Sequence, residues 1–300
     1  MSQRVIAVTG ATGNIGAKLT ELLLAGGHTV RAIARGGERL QALAAKGAEA
    51  HAGSVTDATF LSRAFAGADA VFAMVPPNYA AEHLRDYQRS VAEAETEALA
   101  TAGVPRVVAL SSIGAQHEEG TGPIAGLHDF EGCLATLGAA AVVSLRPALF
   151  MENFLQSIPL IRGQGINGSP VVPDLPVPMI ATRDIAAAAA EHLAQADGGG
   201  KSVAYLLGSR DLTFTAATRI LGEAIGRPDL PYVQFAYEDT RQALLAAGLS
   251  PSVANGFVEL YRGINEGLVR ATELRSSGNT MPTALEAWSA IFAAAYCAAG

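Results

Sequence analysis

Residues 4–16 read Arg4-Val-Ile-Ala-Val-Thr9-Gly10-Ala-Thr-Gly13-Asn-Ile-Gly16 and are the most informative segment of the chain. An apolar run typical of a buried strand leads into three spaced glycines, and apolar residues then recur at helical spacing. In such a junction the first glycine allows a sharp turn, the second lets the backbone approach a pyrophosphate, and the third lets the helix pack against the strand. The alternative is a glycine turn required only by sterics. The predicted dinucleotide contacts are Gly10, Thr12, Gly13, Asn14, Ile15 and Gly16.

Apolar strands alternate with helical stretches through the first half of the chain. We predict strands at 5–9, 28–34, 48–52, 70–75, 106–111 and 140–145, and helices at 14–25, 38–45, 58–66, 80–102 and 127–137. Such strands, apolar almost throughout and joined by helices, indicate a doubly wound parallel sheet of the Rossmann type. The pattern becomes less regular after Arg146. We therefore expect a dinucleotide-binding domain over 1–150, to which residues of about 177–210 return, and a smaller α+β substrate lobe over 151–300.

The second half predicts fewer and shorter elements. Gly163–Pro178 is rich in glycine and proline and is expected to be loop or short irregular strand. Beyond it we predict strands at 203–207 and 231–235, and helices at 183–195, 215–225, 238–247, 252–270 and 282–299.

Composition and charge exclude several classes of function. The chain has 300 residues, 50% of them hydrophobic, and a net charge of −7 with no Lys/Arg run, which argues against nucleic-acid binding. The two cysteines, Cys133 and Cys297, match no metal motif. No leader and no membrane-spanning stretch is recognised, so we expect a cytoplasmic protein. The chain is compatible with a homodimer.

The end of the second strand bears on the choice of dinucleotide. An acidic residue at that point binds the ribose hydroxyls of NAD, whereas an arginine accommodates the 2′-phosphate of NADP. This chain has Arg35 there and no Asp or Glu, so we predict NADP(H), with Arg31 as a second candidate. Asp57 is interpreted as a helix cap. Further cofactor contacts are expected at the carboxyl edge of the sheet: Ser54, Val55, Met74, Val75, Pro76 and Ser111.

Five segments in order carry a resemblance to a known family. They are the glycine turn and Val30–Arg35, Ala102–Ser112, Leu145–Phe154 and Ala181–Ile185. The chain resembles the NmrA-like group of atypical short-chain dehydrogenases/reductases and, within it, is most similar to the type 2 NAD(P)H:quinone oxidoreductases. The resemblance covers residues 3–285. It implies a Rossmann domain with a small C-terminal lobe, a nicotinamide near Leu145–Phe154 that adds Pro147 to the cofactor contacts, and either reductase activity or cofactor sensing.

Most short-chain dehydrogenases use a Tyr-x-x-x-Lys pair, which this chain lacks. None of its seven tyrosines has a lysine four residues on, and its lysines are Lys18, Lys46 and Lys201. A quinone accepts hydride without a strong acid, because the product is an aromatic hydroquinone anion that solvent can protonate, and positioning is then the main requirement. We expect Phe150 and Tyr79 to form walls for a small aromatic or quinone-like acceptor. Asn153 is expected to orient the acceptor through a hydrogen bond.

Three roles are open for the charged residues in and beside the loop after the fifth strand, 114–126: solvated surface residues, metal ligands or a proton donor. His117, Glu118 and Glu119, with His128 and Asp129, are interpreted as solvated residues rather than metal ligands, because their spacing matches no metal motif. His128 is a candidate proton donor to the reduced acceptor. At the level of the whole protein, an NADPH-dependent reductase is our first hypothesis. The alternative is a non-enzymatic NADP(H) sensor, in which Phe150, Met151 or this loop would fill the cleft beside the nicotinamide.

Overall fold

A computed structural model describes residues 3–195 and 199–299 of the chain. The predicted domain bounds also include residues 1–2, 196–198 and 300, which lie outside the described residues. The strands are β1 Val5–Thr9, β2 Thr29–Ala34, β3 Glu49–Ala52, β4 Ala70–Met74, β5 Arg106–Leu110, β6 Ala141–Pro147, β7 Leu149–Phe150, β8 Asn167–Ser169, β9 Val177–Ile180, β10 Lys201–Leu206, β11 Asp211–Leu212 and β12 Tyr232–Gln234.

Helices occupy most of the remaining chain. They are α1 Asn14–Ala25, α2 Glu38–Ala45, α3 Ala58–Phe65, α4 Leu84–Ala102, α5 Pro123–Ala135, α6 Ile158–Gln164, α7 Thr182–Ala194, α8 Phe214–Ala224, α9 Tyr237–Ala246, α10 Pro251–Asn265 and α11 Leu285–Ala298. A 3₁₀ helix covers Met151–Ser157.

Seven parallel strands form the central sheet, in the order β10-β6-β5-β4-β1-β2-β3. The order confirms the predicted doubly wound α/β fold. Alternate residues of one strand enter opposite layers: Ile6 and Val8 of β1 pack with α1 and α7, whereas Ala7 packs with α3, α4 and α5. Both faces of the sheet are therefore covered, which explains why its strands are apolar on both sides.

A separate apolar cluster forms the C-terminal part of the molecule. Trp288 and Phe292 of α11 are fully buried and pack with the 3₁₀ helix, α6 and α8. Two small sheets accompany this cluster, one of order β11-β9-β7 and one that pairs β12 with β8. Because β6 leads directly into β7, the C-terminal cluster begins at the carboxyl edge of the central sheet.

Several predicted boundaries were wrong. Helix α4 begins at Leu84 rather than 80, α5 begins at Pro123 rather than 127, and α10 ends at Asn265 rather than 270. The α5 boundary follows from Pro123, which lacks an N–H and is well tolerated in the first turn of a helix. The loop after β5 consequently ends at Gly122. Helix α6 reaches Gln164 inside a region predicted to be non-helical, and Gly165 ends it with φ +74°.

Candidate functional site

The direction of chain progression reverses between β1 and β4. From β1 the chain proceeds through β2 to β3 on one side, and from β4 through β5 to β6 on the other. Ligands of open parallel sheets bind at this switch point, outside the carboxyl ends of the strands. Gly10 follows β1 and Met74 ends β4, and a Cβ on Gly10 would lie 2.2 Å from Met74 Sδ. The glycine turn thus contacts the neighbouring strand at the reversal.

The geometry of the glycine turn fits a phosphate-bearing ligand. Gly10 has φ +63°, and its carbonyl oxygen accepts the N–H of Gly13 at 3.0 Å. A Cβ on Gly16 would lie 2.2 Å from the same oxygen, so only glycine fits there. No side chain caps the N-terminus of α1 at Gly13. The first N–H groups of α1 are therefore available to an anion, which the helix dipole also favours.

Two arginines near the end of β2 have different environments. Arg31 donates to the carbonyl oxygens of Ala64 at 3.0 Å and Ala66 at 2.7 Å, and its Nε lies 3.2 Å from Glu49. Arg35 directly follows β2 and is exposed. Among the described residues it makes no hydrogen bond or ion pair, so its guanidinium is available to a ligand whereas that of Arg31 is already bound.

The turn that follows β3 lies at the same carboxyl edge of the sheet as Arg35. The Ser54 hydroxyl lies 2.8 Å from the Thr56 hydroxyl and accepts the Thr56 N–H at 3.2 Å, which fixes a tight turn containing Val55. Asp57 then caps α3 by accepting the N–H of Phe60 at 2.9 Å, as predicted. Ser54 is exposed on the same side of the switch point as Arg35.

A cavity of about 320 Å³, here called the proximal cavity, lies on the other side of the switch point. Residues from the carboxyl ends of β4 and β5 and from the chain after β6 form its floor. Of the predicted residues it brings together Met74, Val75, Pro76, Tyr79, Ser111, Phe150 and Asn153. No Asp, Glu, Lys, Arg or His is among its lining residues in the described chain.

Two residues predicted to lie beside the acceptor or the nicotinamide, His128 and Pro147, do not line the proximal cavity. His128 lies on α5 with its Nδ1 3.0 Å from the carbonyl oxygen of Ala115, whereas the preceding residue, Leu127, lines the cavity. His128 itself is not among the residues that line the cavity, and its role as a proton donor stays a prediction. Pro147 ends β6, where its carbonyl oxygen accepts the N–H of Ile113 at 3.1 Å.

The Ser111 hydroxyl belongs to a chain of polar contacts behind the cavity. It donates to Glu131, and Arg146 binds the same carboxylate through Nε at 2.9 Å and Nη2 at 2.6 Å. Arg146 also donates to the Tyr205 hydroxyl at 3.0 Å. Since the Ser111 proton is directed to a carboxylate fixed by a two-pronged ion pair, Ser111 offers oxygen lone pairs rather than a proton to the cavity.

A buried acid lies behind the glycine turn. Glu95 of α4 is 0% exposed, and its carboxyl approaches the side chain of Thr9 and the backbone of Met74. Burial raises the pKa of Glu95 to about 8, against the opposing effect of the Thr9 and Met74 contacts. Glu95 is therefore mainly a neutral acid at pH 7.

A larger cavity of about 730 Å³, here called the distal cavity, adjoins the proximal one. The two share wall residues that include Tyr79, Phe150 and Asn153. The distal cavity continues between the 3₁₀ helix, the small sheet of β8 and β12, and α9. A third cavity, about 580 Å³, lies between α7, β10 and residues 273–282, away from the glycine turn.

Helix α10 supplies wall residues that sequence reasoning missed. Val253, Phe257, Leu260 and Ile264 line the proximal cavity, and the loop after β5 packs on the same helix. A Cβ on Gly122 would lie 2.0 Å from the carbonyl oxygen of Gly256, which shows how closely the two backbones approach. The helical spacing of these apolar residues was a usable signal, but it did not identify which surface they cover.

The remaining candidates of the loop after β5 are not assembled into a metal site. Asp129 forms a two-pronged ion pair with Arg85, at 2.8 and 2.9 Å, and the hydrogen bonds from Arg85 lower the pKa of Asp129. In residues 3–195 and 199–299, no group of three or more His, Cys, Asp or Glu side chains is placed to hold a metal ion. No helix in those ranges is long and apolar enough to span a membrane.

Comparisons with known proteins agree with this geometry. The model of the NmrA-like family matches residues 2–270. The NAD(P)H azoreductase of Xenophilus azovorans is 30% identical over 258 residues, which cover 86% of each protein. The crystal structure of the NADPH-dependent quinone oxidoreductase QOR2 from Escherichia coli is 25% identical, with a TM-score of 0.75 over 96% of this chain and 99% of that one.

A further solved structure shares the fold. It is the Citrobacter sp. triphenylmethane reductase complexed with NADP(H), which is 24% identical with a TM-score of 0.79. The likeness covers 96% of this chain and 99% of that one. It extends the shared architecture through the C-terminal part of the molecule.

Proposed function

This chain belongs to the NmrA-like family, and we propose that it is an NADPH-dependent reductase of quinones or similar electron-poor aromatic acceptors. It is an NAD(P)H-dependent oxidoreductase, like the azoreductase to which it is 30% identical. The preference for NADPH, the class of acceptor and the roles of individual residues are the parts that we propose.

The observation that carries the proposal is the open, uncharged proximal cavity on the β4–β6 side of the switch point. A cofactor-sensing protein of this fold would have that cleft filled. Here Met151 is 1% exposed and lies outside the cavity lining, and Gly120 and Gly122 of the loop after β5 pack against α10. The empty volume supports an enzyme that admits an acceptor over the sensing alternative.

The residues present fit a bound NADPH along the whole edge of the sheet. In our proposal the N–H groups of Asn14 and Ile15 bind the pyrophosphate, Arg35 binds the 2′-phosphate, and Ser54 and Val55 contact the adenosine half. Met74, Val75 and Pro76 line the path to the proximal cavity. Ser111 would accept a hydrogen bond from the nicotinamide carboxamide and so help to hold the ring at the proximal cavity. When bound, the reduced nicotinamide supplies the hydride.

The side chains of the cavity act by positioning the acceptor. Phe150 provides an apolar wall for an aromatic ring, and Asn153 donates a hydrogen bond to an acceptor oxygen or nitrogen. The surrounding apolar side chains exclude water from the reacting atoms. Because no Asp, Glu, Lys, Arg or His of the described chain lines the cavity, the reduced acceptor takes its proton from solvent at the opening.

Steady-state oxidation of NADPH with para-benzoquinone and azobenzene tests the proposal, with NADH in parallel. We expect saturable turnover with at least one acceptor and a higher kcat/KM with NADPH than with NADH. Tight NADPH binding without turnover of any acceptor would instead support the sensing alternative. Asn153→Ala should lower kcat/KM by about tenfold, the cost of one hydrogen bond to the acceptor.

A further inference from the structure

We propose that the acceptor site extends into the distal cavity, which binds a second aromatic ring and favours a cationic over an anionic substituent on it. The inference rests on the proposed reductase function, because it places the reacting ring in the proximal cavity. It adds to that function the size and the charge of the acceptor that the protein prefers.

The two cavities adjoin along a shared wall. Leu149, Phe150 and Asn153 border both of them. Tyr79 and Phe257 also border both, and their ring centroids lie 6.3 Å apart with an interplanar angle of 34°. A molecule held by Asn153 in the proximal cavity therefore lies next to the distal one, beside these aromatic side chains.

Available space indicates where a second ring must go. A cavity of about 150 Å³ accommodates one benzene molecule. The proximal cavity, at about 320 Å³, has room for the nicotinamide and one acceptor ring. The distal cavity, at about 730 Å³, accommodates further rings. An acceptor with two or three rings consequently uses both cavities, whereas a single-ring quinone uses only the first.

The walls of the distal cavity suit an aromatic occupant. Phe214 packs between Phe154 at 5.9 Å and Tyr232 at 5.5 Å, measured between ring centroids, and all three line the cavity. The Tyr232 hydroxyl donates to the carbonyl oxygen of Val171 at 2.7 Å, so the ring is fixed. Such a tilted cluster presents both ring edges and ring faces to a ligand.

The charge that lines the distal cavity in the described chain is negative. Asp239, in the first turn of α9, is the one charged residue that lines this cavity in the described chain, and it is exposed at the rim. It makes no ion pair among the described residues. With a carboxylate here and no charged residue in the proximal cavity, a cationic group on the outer ring is attracted and a sulfonate is repelled.

A matched series of quinones tests the proposal. The acceptors are para-benzoquinone, phenyl-para-benzoquinone, and the latter carrying trimethylammonium or sulfonate on the phenyl ring. Asp239→Asn should lower the cation-to-anion ratio of kcat/KM by about three- to tenfold relative to the unmodified protein. The substituents also alter the electrophilicity of the quinone, so the change in the ratio between proteins is the diagnostic quantity.

A second variant and a control complete the test. Leu244→Trp places an indole in the distal cavity and should lower kcat/KM for phenyl-para-benzoquinone about tenfold more than for para-benzoquinone. Glu238→Gln removes the same charge from a neighbouring residue outside the lining and should leave the cation-to-anion ratio in place. If para-benzoquinone is reduced but Asp239→Asn leaves the cation-to-anion ratio unchanged and Leu244→Trp affects both quinones equally, this inference alone is overturned. Failure to reduce para-benzoquinone overturns the proposed function.

Discussion

Arg31 and Arg35 show that the surroundings of an arginine decide whether its guanidinium is available to a ligand. The sequence made both candidates for the 2′-phosphate, because both lie in or beside the second strand. Arg31 is bound by two carbonyl oxygens of the α3 end and by Glu49, whereas Arg35 is exposed. Residue type and spacing predicted the pair, but only packing against α3 distinguished its members. That packing is a long-range contact without a local sequence signal.

Replacing Arg35 should affect NADPH more than NADH. Loss of a guanidinium–phosphate contact costs about 1.5–3 kcal/mol, so Arg35→Ala should raise KM for NADPH about tenfold to a hundredfold. Initial rates with each cofactor measure the change. Arg63→Ala, an exposed arginine at the end of α3, is the matched control. Equal losses with both cofactors would contradict the assignment.

Glu95 has a predictable effect on stability. Its pKa of about 8 in the folded protein is raised above the ordinary value of 4.5. Its neutral form therefore contributes stability that is fully present below pH 4.5 and is lost as pH rises toward 8. Glu95→Gln should be more stable than the unmodified protein by a few kcal/mol at pH 8, with a smaller difference at pH 5.

Thermal unfolding at several pH values measures the effect of Glu95. The exposed Glu97, on the same helix, provides the control through Glu97→Gln, which should not change the slope of stability with pH. A Glu95→Gln protein that loses equal stability at every pH would contradict the account.

At the level of elements, the glycine turn was the most predictable part of the molecule. Helix α1 has the predicted bounds because its start is set by local backbone geometry, visible in the sequence as Gly10, Gly13 and Gly16. The start of α4 was not predicted, because it depends on a neighbouring helix, and the start of α5 was missed although Pro123 marks it locally. The N–H of Leu84, for example, is bound by the Ser252 hydroxyl of α10 at 3.0 Å.

Two glycine substitutions should affect different properties, one the affinity for NADPH and the other the stability of the fold. Gly16→Ala places a Cβ 2.2 Å from the carbonyl oxygen of Gly10, so the turn must shift, and we expect NADPH affinity to fall by about tenfold or more. Gly132→Ala in the exposed middle of α5 meets nothing within 4 Å and should add about 0.5–1 kcal/mol of stability. Calorimetric titration and thermal unfolding measure the two effects. Unchanged NADPH affinity in Gly16→Ala would contradict the phosphate assignment.

At the level of the whole molecule, Glu152 joins three elements. Its carboxylate accepts the N–H of Thr182 at 3.0 Å, the hydroxyl of Thr182 at 2.7 Å and the indole N–H of Trp288 at 3.1 Å. It thereby connects the 3₁₀ helix with α7 and α11. The sequence predicted the last helix but gave no indication of this connection, since its members are up to 136 residues apart.

Removing this connection should destabilise the protein. Glu152→Ala leaves several buried donors unpaired and should lower the free energy of unfolding by about 2–4 kcal/mol. Trp288 is the single tryptophan, so its fluorescence reports the loss during denaturant unfolding. Glu152→Gln, which retains acceptor oxygen, should lose less. Equal stability of Glu152→Ala and the unmodified protein would show that the connection is energetically neutral.

The proposed reaction is the transfer of hydride from NADPH to an aromatic acceptor in a cavity that no Asp, Glu, Lys, Arg or His of the described chain lines. A single-turnover experiment tests it most directly: protein saturated with NADPH is mixed rapidly with excess para-benzoquinone, and the nicotinamide absorbance is followed. We predict first-order loss of that absorbance, much faster than in the absence of protein and with a rate constant independent of pH between about 6 and 8. Bound NADPH that persists unoxidised would contradict the claim.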